Sequence, residues 1–245
     1  MINWWIGCSG FHYKDWKEVF YPSNIPQTKW FEYYCQHFNT IELNVTFYRF
    51  PRPEALLKWH DRSPEEFKFS VKAPRLITHY KMFKESERML GDFYASIYEG
   101  LHNKLGCVLF QLPSRVAYSD EMLERIIETL DPSFDNVVEF RDVTWWNEKV
   151  YKRLKKYKIS FCGISHAKLP DEVKKNTPIL YYRFHGVPTL YKSEYDIDFV
   201  KKIAGDIKAA GKINDAYVYF NNTWGTGGIN NARQMQTYLN NRKED

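Results

Sequence analysis

The chain has 245 residues, enough for one large domain or two small ones, and its formal net charge of +5 permits contact with phosphates without requiring it. Aromatic residues make up 18% of the chain, a share that a bulky core accounts for and that stacking on sugars or bases would also use. Cys8, Cys35, Cys107 and Cys162 show no metal-ligand spacing and read as buried, reduced thiols. No basic-then-apolar leader precedes the first strand and no apolar run approaches a membrane span. A cytoplasmic protein without membrane contact is therefore expected.

In chain order, the first strand is predicted over residues 3–8. It runs into a loop over 9–16 in which Gly10 permits a sharp turn. A helix follows Pro26, with Trp30, Phe31, Tyr34 and Phe38 at helical spacing. Residues 40–48 alternate cleanly. Ile41, Leu43, Val45 and Phe47 fall on one side, with Thr40, Glu42, Asn44, Thr46 and Tyr48 on the other, which predicts a second strand over the whole stretch. Pro51 and Pro53 open the next helix. The third strand, 67–72, ends before Pro74, and a long loop through Ile77, Thr78 and His79 leads to a helix at about 86–101. The fourth strand, 106–111, stops at Pro113, and Ser119 is placed to N-cap a helix reaching Leu130.

The fifth strand is predicted over 136–141. The helix at about 147–157 carries Lys152, Arg153, Lys155 and Lys156, a charge run that reads as a solvated face. The sixth strand, 159–164, is followed by a short polar excursion and then by the seventh, 179–184, which meets His185-Gly186. A helix at about 194–210, an eighth strand over 216–221 and a last helix at 229–240 complete the series. Eight strands alternating with helices, without a linker, predict an α/β fold: a single TIM-like (β/α)8 barrel domain over residues 1–245. A doubly wound open sheet is the competing reading, but it predicts more uniformly apolar strands.

In such a barrel, outward side chains meet the helices, and inward ones near the C-terminal rim line the site. Alternation then points Glu42, Asn44, Lys72, Gln111, Glu139, Arg141, Arg183, His185 and Asn221 into one mouth. A salt-bridge network that merely satisfies buried charge is the structural alternative, with Glu42 and Glu139 pairing with Arg183 and Lys72. Two carboxylates against Lys72, Arg141 and Arg183 leave a positive surplus, which favours an anionic ligand. The turn at 225–228, ahead of the last helix, offers backbone N–H groups where barrels often hold phosphate. Tyr48, His79, Tyr191, Asn222 and Gly227 complete the expected ligand-binding set.

With these residues in view, the chain resembles the YecE-like family (domain of unknown function 72). The matching segments begin with Gly7-Cys8-Ser9-Gly10, Thr40-Ile41-Glu42-Leu43-Asn44 and Val71-Lys72-Ala73-Pro74. They continue with Leu109-Phe110-Gln111-Leu112-Pro113, Val138-Glu139-Phe140-Arg141, Arg183-Phe184-His185-Gly186 and Tyr219-Phe220-Asn221-Asn222. The resemblance implies a TIM-like barrel and brings no established reaction. The chain departs from the family pattern at Asp142, which stands in place of a His, at Thr223, which stands in place of an Asp, and at Ile164-Ser165-His166, which lacks an expected Asp.

The reading favoured by these residues is a metal-independent acid–base enzyme acting on a phosphorylated or otherwise anionic small molecule. Glu139 is its general acid or base, Glu42 the partner carboxylate, Lys72 and Arg183 the anion clamp, and His185 a proton shuttle. No cofactor is expected, because the chain has neither a dinucleotide-binding glycine pattern nor a P-loop. A glycosidase would need its two carboxylates to flank one bond, and these come from the second and fifth strands. One alternative is a metal-dependent phosphodiesterase acting on nucleic acid, with Glu42, His79, Glu139, His185 and His12 as ligands, although Lys72 and Arg183 would repel the cation. Another is a non-catalytic nucleic-acid-binding module using Phe11, Tyr13, Trp16, Trp146 and Trp224 as stacking surfaces.

Overall fold

The strands of the computed structural model, which describes residues 1–241, are β1 (Asn3–Cys8), β2 (Thr40–Leu43), β3 (Lys68–Lys72), β4 (Leu105–Gln111), β5 (Asn136–Glu139), β6 (Ser160–Ser165), β7 (Ile179–Phe184) and β8 (Asp215–Phe220). Helices α1 (Trp30–His37), α2 (Val45–Tyr48), α3 (Pro53–Arg62), α4 (Glu87–Leu101), α5 (Asp120–Thr129), α6 (Glu148–Lys156), α7 (Ile197–Ala209) and α8 (Gly227–Asn240) lie between and after them. The strands form one parallel sheet in the order β1-β8-β7-β6-β5-β4-β3-β2, and a parallel bridge from Ser9 to Glu42 follows β1. This is the TIM-like (β/α)8 barrel expected from the alternation. Every residue of β2, β5 and β6 is buried, as strands covered on both faces must be.

The chain divides into two compact units, one made of Met1–Glu42 with Gly163–Asp245 and the other of Leu43–Cys162. In the first, β8 pairs in parallel with both β1 and β7, and the register sets Arg183 beside Tyr219. Trp30, Phe31 and Tyr34 form the buried face of α1. The Tyr34 hydroxyl accepts from the Cys8 N–H at 2.8 Å and donates to the Thr40 carbonyl at 3.0 Å. This clasp requires a close backbone approach at Gly7, where an added Cβ would lie 2.2 Å from the Thr40 oxygen.

In the second unit, β3, β4 and β5 pair in parallel, placing Lys72 beside Leu109 and Gln111 beside Glu139. Ser119 caps α5 as expected, its hydroxyl accepting from the Met122 N–H, and Asn147 caps α6 in the same way. In the charge run on α6, Arg153 pairs with Glu124.

The second strand is shorter than the alternation predicts. After Leu43 the backbone at Asn44 turns to φ −97°, ψ −12°, and residues 45–48 form a single helical turn closed by the Arg49 N–H on the Val45 carbonyl. Thr46 is the buried residue of this turn, and its hydroxyl donates to the Lys72 carbonyl at 2.6 Å. Val45 and Tyr48 are 51% and 70% exposed. Four residues with one buried position satisfy a helical turn as well as a strand, so alternation alone could not separate them. Two other strands also end early, leaving Arg141 past β5 and Asn221 past β8. His79, expected in a loop, sits on a π-type turn over Leu76–Lys81.

Replacing Gly7 by Ala is expected to destabilise the fold by about 1–3 kcal/mol through forced separation at Thr40. Urea unfolding would read this as a lower midpoint at unchanged slope, and an unaltered midpoint would show that the approach relaxes freely.

Candidate functional site

In the first unit, the end of β7 carries Tyr181 and Arg183 on the same side of the strand, two residues apart. Both reach Glu42. Arg183 Nη2 donates to Glu42 Oε1 at 2.6 Å, Tyr181 donates its hydroxyl to Oε2 at 2.6 Å, and Ser9 donates to Oε1 at 2.6 Å. The Glu42 and Arg183 side chains are both 0% exposed. Desolvation of such a pair offsets most of its attraction, so the two neutral hydroxyls that complete the carboxylate's shell matter as much as the charge does. Beside this pair, Thr40 and Tyr219 share a hydrogen bond of 2.6 Å.

His185 follows on the same chain. It is 0% exposed, its N–H donates to the Ser165 carbonyl, and its carbonyl accepts from the Tyr191 N–H at 2.6 Å. The Asn221 amide nitrogen lies 3.0 Å from Nδ1, and Arg183 Nη1 lies 3.5 Å from Nε2. Glu42, Arg183, His185, Asn221 and Tyr191 are thus brought together. Asn222 is fully buried, donating to the Ser193 carbonyl at 3.0 Å and to Asn231 Oδ1 at 3.2 Å. At Gly227 an added Cβ would lie 3.0 Å from Glu194 Cβ, and the Gly228 N–H donates to the Asn222 carbonyl. Trp16, expected as a stacking surface, is fully buried and donates its indole N–H to the Gly225 carbonyl, so it has no free face.

The second unit gathers a different set at the ends of β3, β4 and β5. Lys72 Nζ donates to Gln111 Oε1 at 2.8 Å and lies 4.0 Å from the centre of the Phe47 ring. Gln111 is fixed in turn by donating to the Leu112 carbonyl at 2.8 Å. Fully buried Glu139 pairs with Arg141 Nε. His79 is half-buried, with Nδ1 2.9 Å from the Thr78 hydroxyl and Nε2 3.5 Å from Gln111 Nε2. Arg115 donates to the His79 carbonyl at 2.6 Å.

Burial, then the positive charges of Lys72, Arg115, Arg141 and Arg75, lowers the His79 imidazole to about 4. Its ring is therefore neutral at pH 7. Of the remaining expected residues, Tyr48 is exposed with the Arg75 guanidinium 5.5 Å from its ring centre, and Asn44 keeps a buried amide oxygen without a hydrogen-bond partner among the described residues.

Several functional neighbours escaped the sequence reading. Tyr181 shares the parity of Arg183, so alternation carried the signal. Arg75 and Arg115 each follow a strand-ending proline, Pro74 and Pro113, where a loop enters the rim. Ser9 lay in the Gly7-Cys8-Ser9-Gly10 segment of the family resemblance, just after the first strand, but was given no role. Among the described residues no three His, Cys, Asp or Glu side chains gather as a metal site.

The fold and these strand-end charges define a (β/α)8 barrel protein with buried ionic groups at the ends of its strands. The chain belongs to the family described as "Protein of unknown function DUF72", which matches residues 5–245. UPF0759 protein YunF of Bacillus subtilis is 26% identical over 96% of this chain and 94% of its own length. UPF0759 protein YecE of Escherichia coli K12 is 29% identical over 111 residues, 45% of this chain and only 40% of that protein. The crystal structure of a DUF72 family protein from Thermotoga maritima superposes with a TM-score of 0.88, covering 97% of this chain and 99% of that one at 26% identity.

Glu42→Gln leaves the Arg183 charge uncompensated and is expected to cost about 3–5 kcal/mol in denaturant unfolding. Adding Arg183→Met should recover a large part of that loss, and a strictly additive double variant would contradict the pairing. A proton NMR titration should find His79 neutral down to about pH 4. A folded-state value below the unfolded one near 6.5 means the unfolded chain binds the proton more readily. Stability should therefore fall between pH 6.5 and 4 on this account, and His79→Gln should flatten that part of the curve.

Proposed function

We propose that this protein binds a small phosphorylated or otherwise anionic molecule at the cationic strand ends of its second unit and acts on it by acid–base chemistry. The observation that carries the reading is the concentration of Lys72, Arg75, Arg115 and Arg141 around half-buried His79, with Glu139 already committed to Arg141. Cations gathered around one imidazole raise the local potential and favour an anion beside them. Lys72 offers an ammonium backed by Gln111 and Phe47, and Arg141 a planar guanidinium held by Glu139.

Glu139 is the proposed general acid or base, and neutral His79 is able to accept a proton from the bound molecule. In the first unit, Glu42 is saturated by three hydrogen bonds and serves to hold Arg183, whose Nη1 faces His185. His185 remains the proton carrier proposed there. A cytoplasmic setting belongs to the same reading, supported by four cysteines that are buried and unbridged. No helix among the described residues is long and apolar enough to cross a membrane.

A second reading, binding of single-stranded nucleic acid, is favoured by one observation. Trp224 is 68% exposed with the Lys192 ammonium 4.5 Å from its ring centre, an arrangement that accepts a stacked base beside a phosphate.

Calorimetric titration with inorganic phosphate and pyrophosphate is expected to show binding that Lys72→Met and Arg141→Met each weaken at least about tenfold. Equal affinity in the variants would overturn the assignment. Once a phosphorylated substrate is found, Glu139→Gln should lower turnover about 10²- to 10⁴-fold. A steep salt-dependent affinity for oligonucleotides that Trp224→Ala abolishes would transfer support to the second reading.

A further inference from the structure

The second unit holds another concavity, of about 720 Å³, between α2 and the start of α3. Its floor and walls are Phe50, Pro51, Leu56 and Trp59, and Arg49 and Arg52 stand at it, whereas Lys72 and Arg141 do not line it. No Asp or Glu lines it either, and the nearby Glu54 lies outside it. Both arginines are exposed, and neither guanidinium has an ion-pair or hydrogen-bond partner among the described residues. Val45 at 51% and Phe50 at 40% exposure leave apolar surface open to water inside the hollow.

The walls are rigid. Pro51 and Pro53 fix two backbone angles in the connecting segment. The Ser96 hydroxyl donates to the Pro51 carbonyl at 2.9 Å. Gly100 of α4 lets α3 approach so closely that an added Cβ would lie 2.5 Å from Leu56 Cβ and 2.8 Å from the Pro53 oxygen. The hollow is therefore preformed, and a ligand entering it has little of the protein to order. Its size is that of a small-molecule site, and apolar walls with a few polar anchors are the usual make-up of one.

We propose that this hollow is a second binding site, for an amphipathic monoanion: an aromatic ring system or short alkyl chain laid on Phe50, Pro51, Leu56 and Trp59, with a carboxylate or sulfonate held by Arg49 and Arg52. Charge complementarity selects this class. Two guanidinium groups without a carboxylate beside them favour one anionic head, and the apolar floor rewards removing a ring or chain from water. A free inorganic phosphate gains nothing from the floor, and a neutral ring gains nothing from the arginines.

The test uses the intact protein and two fluorescent probes, 8-anilinonaphthalene-1-sulfonate and its uncharged relative N-phenyl-1-naphthylamine. Ala55→Trp, at an exposed position on the wall, fills the hollow, and Arg49→Met with Arg52→Met removes the charge. Thermal unfolding of each variant checks that it is folded. The expected result is loss of both probes in Ala55→Trp. In the arginine double variant, the sulfonate should bind about tenfold more weakly while the neutral probe binds unchanged. Decanoate should displace the sulfonate from the native protein. Unchanged sulfonate affinity in either folded variant would overturn the proposal. So would a dimer in light scattering that Ala55→Trp dissociates, because the hollow would then belong to a second copy of this chain.

Discussion

A charge taken out of water at the end of a buried strand must be paired, hydrogen-bonded or bound to something, and this constraint shapes both units of the molecule. The first unit meets it internally. Glu42 and Arg183 neutralise one another, and Ser9 and Tyr181 complete the carboxylate's hydrogen bonding. In the second unit Arg141 answers Glu139, Lys72 donates to Gln111 and lies over the Phe47 ring, and Arg75 and Arg115 add further positive charge around His79. One cluster closes on itself through Glu42 and Arg183, and the other gathers several cations around His79, the feature on which the anion-binding proposal rests.

The distinction changes the roles given to the carboxylates. A pair of acids at strand ends invites a two-carboxylate mechanism, yet each has its own guanidinium partner, Arg183 for Glu42 and Arg141 for Glu139. Glu42, with three donors on two oxygens, is poorly placed to exchange a proton and well placed to aim Arg183. His79 gains importance instead, because burial keeps its ring neutral and the cations that add to that effect would also attract an anion. Membership of the DUF72 family fixes the fold of the chain and leaves its chemistry to be argued from these side chains.

The barrel was legible because eight buried strands leave an eightfold apolar signal separated by helical periods, and the errors fall where the signal is local. Residues 45–48 alternate, but a turn anchored by Thr46 on the Lys72 carbonyl satisfies the same pattern. That turn moved Tyr48 outward and set Phe47 against Lys72. Parity correctly brought Glu42 to Arg183, because each lies inside a regular strand. It also set Glu139 and Arg141 on one side, and the two pair although Arg141 lies past the end of β5, so the guanidinium partner of Glu139 is Arg141. The loop cations Arg75 and Arg115 were invisible to periodicity, and Asn222 and Gly227 carried motif signals that serve packing against the 193–195 segment.

The proposed function requires that the second unit's cations hold an anion. Crystals soaked in selenate, a phosphate-shaped ion located by its anomalous scattering, test this directly. The account predicts a peak about 3 Å from Lys72 Nζ and the Arg141 guanidinium, with the Lys72 ammonium drawn towards it. An occupied selenate site elsewhere, with Lys72 still resting on Gln111 and no peak beside it, would contradict the central claim.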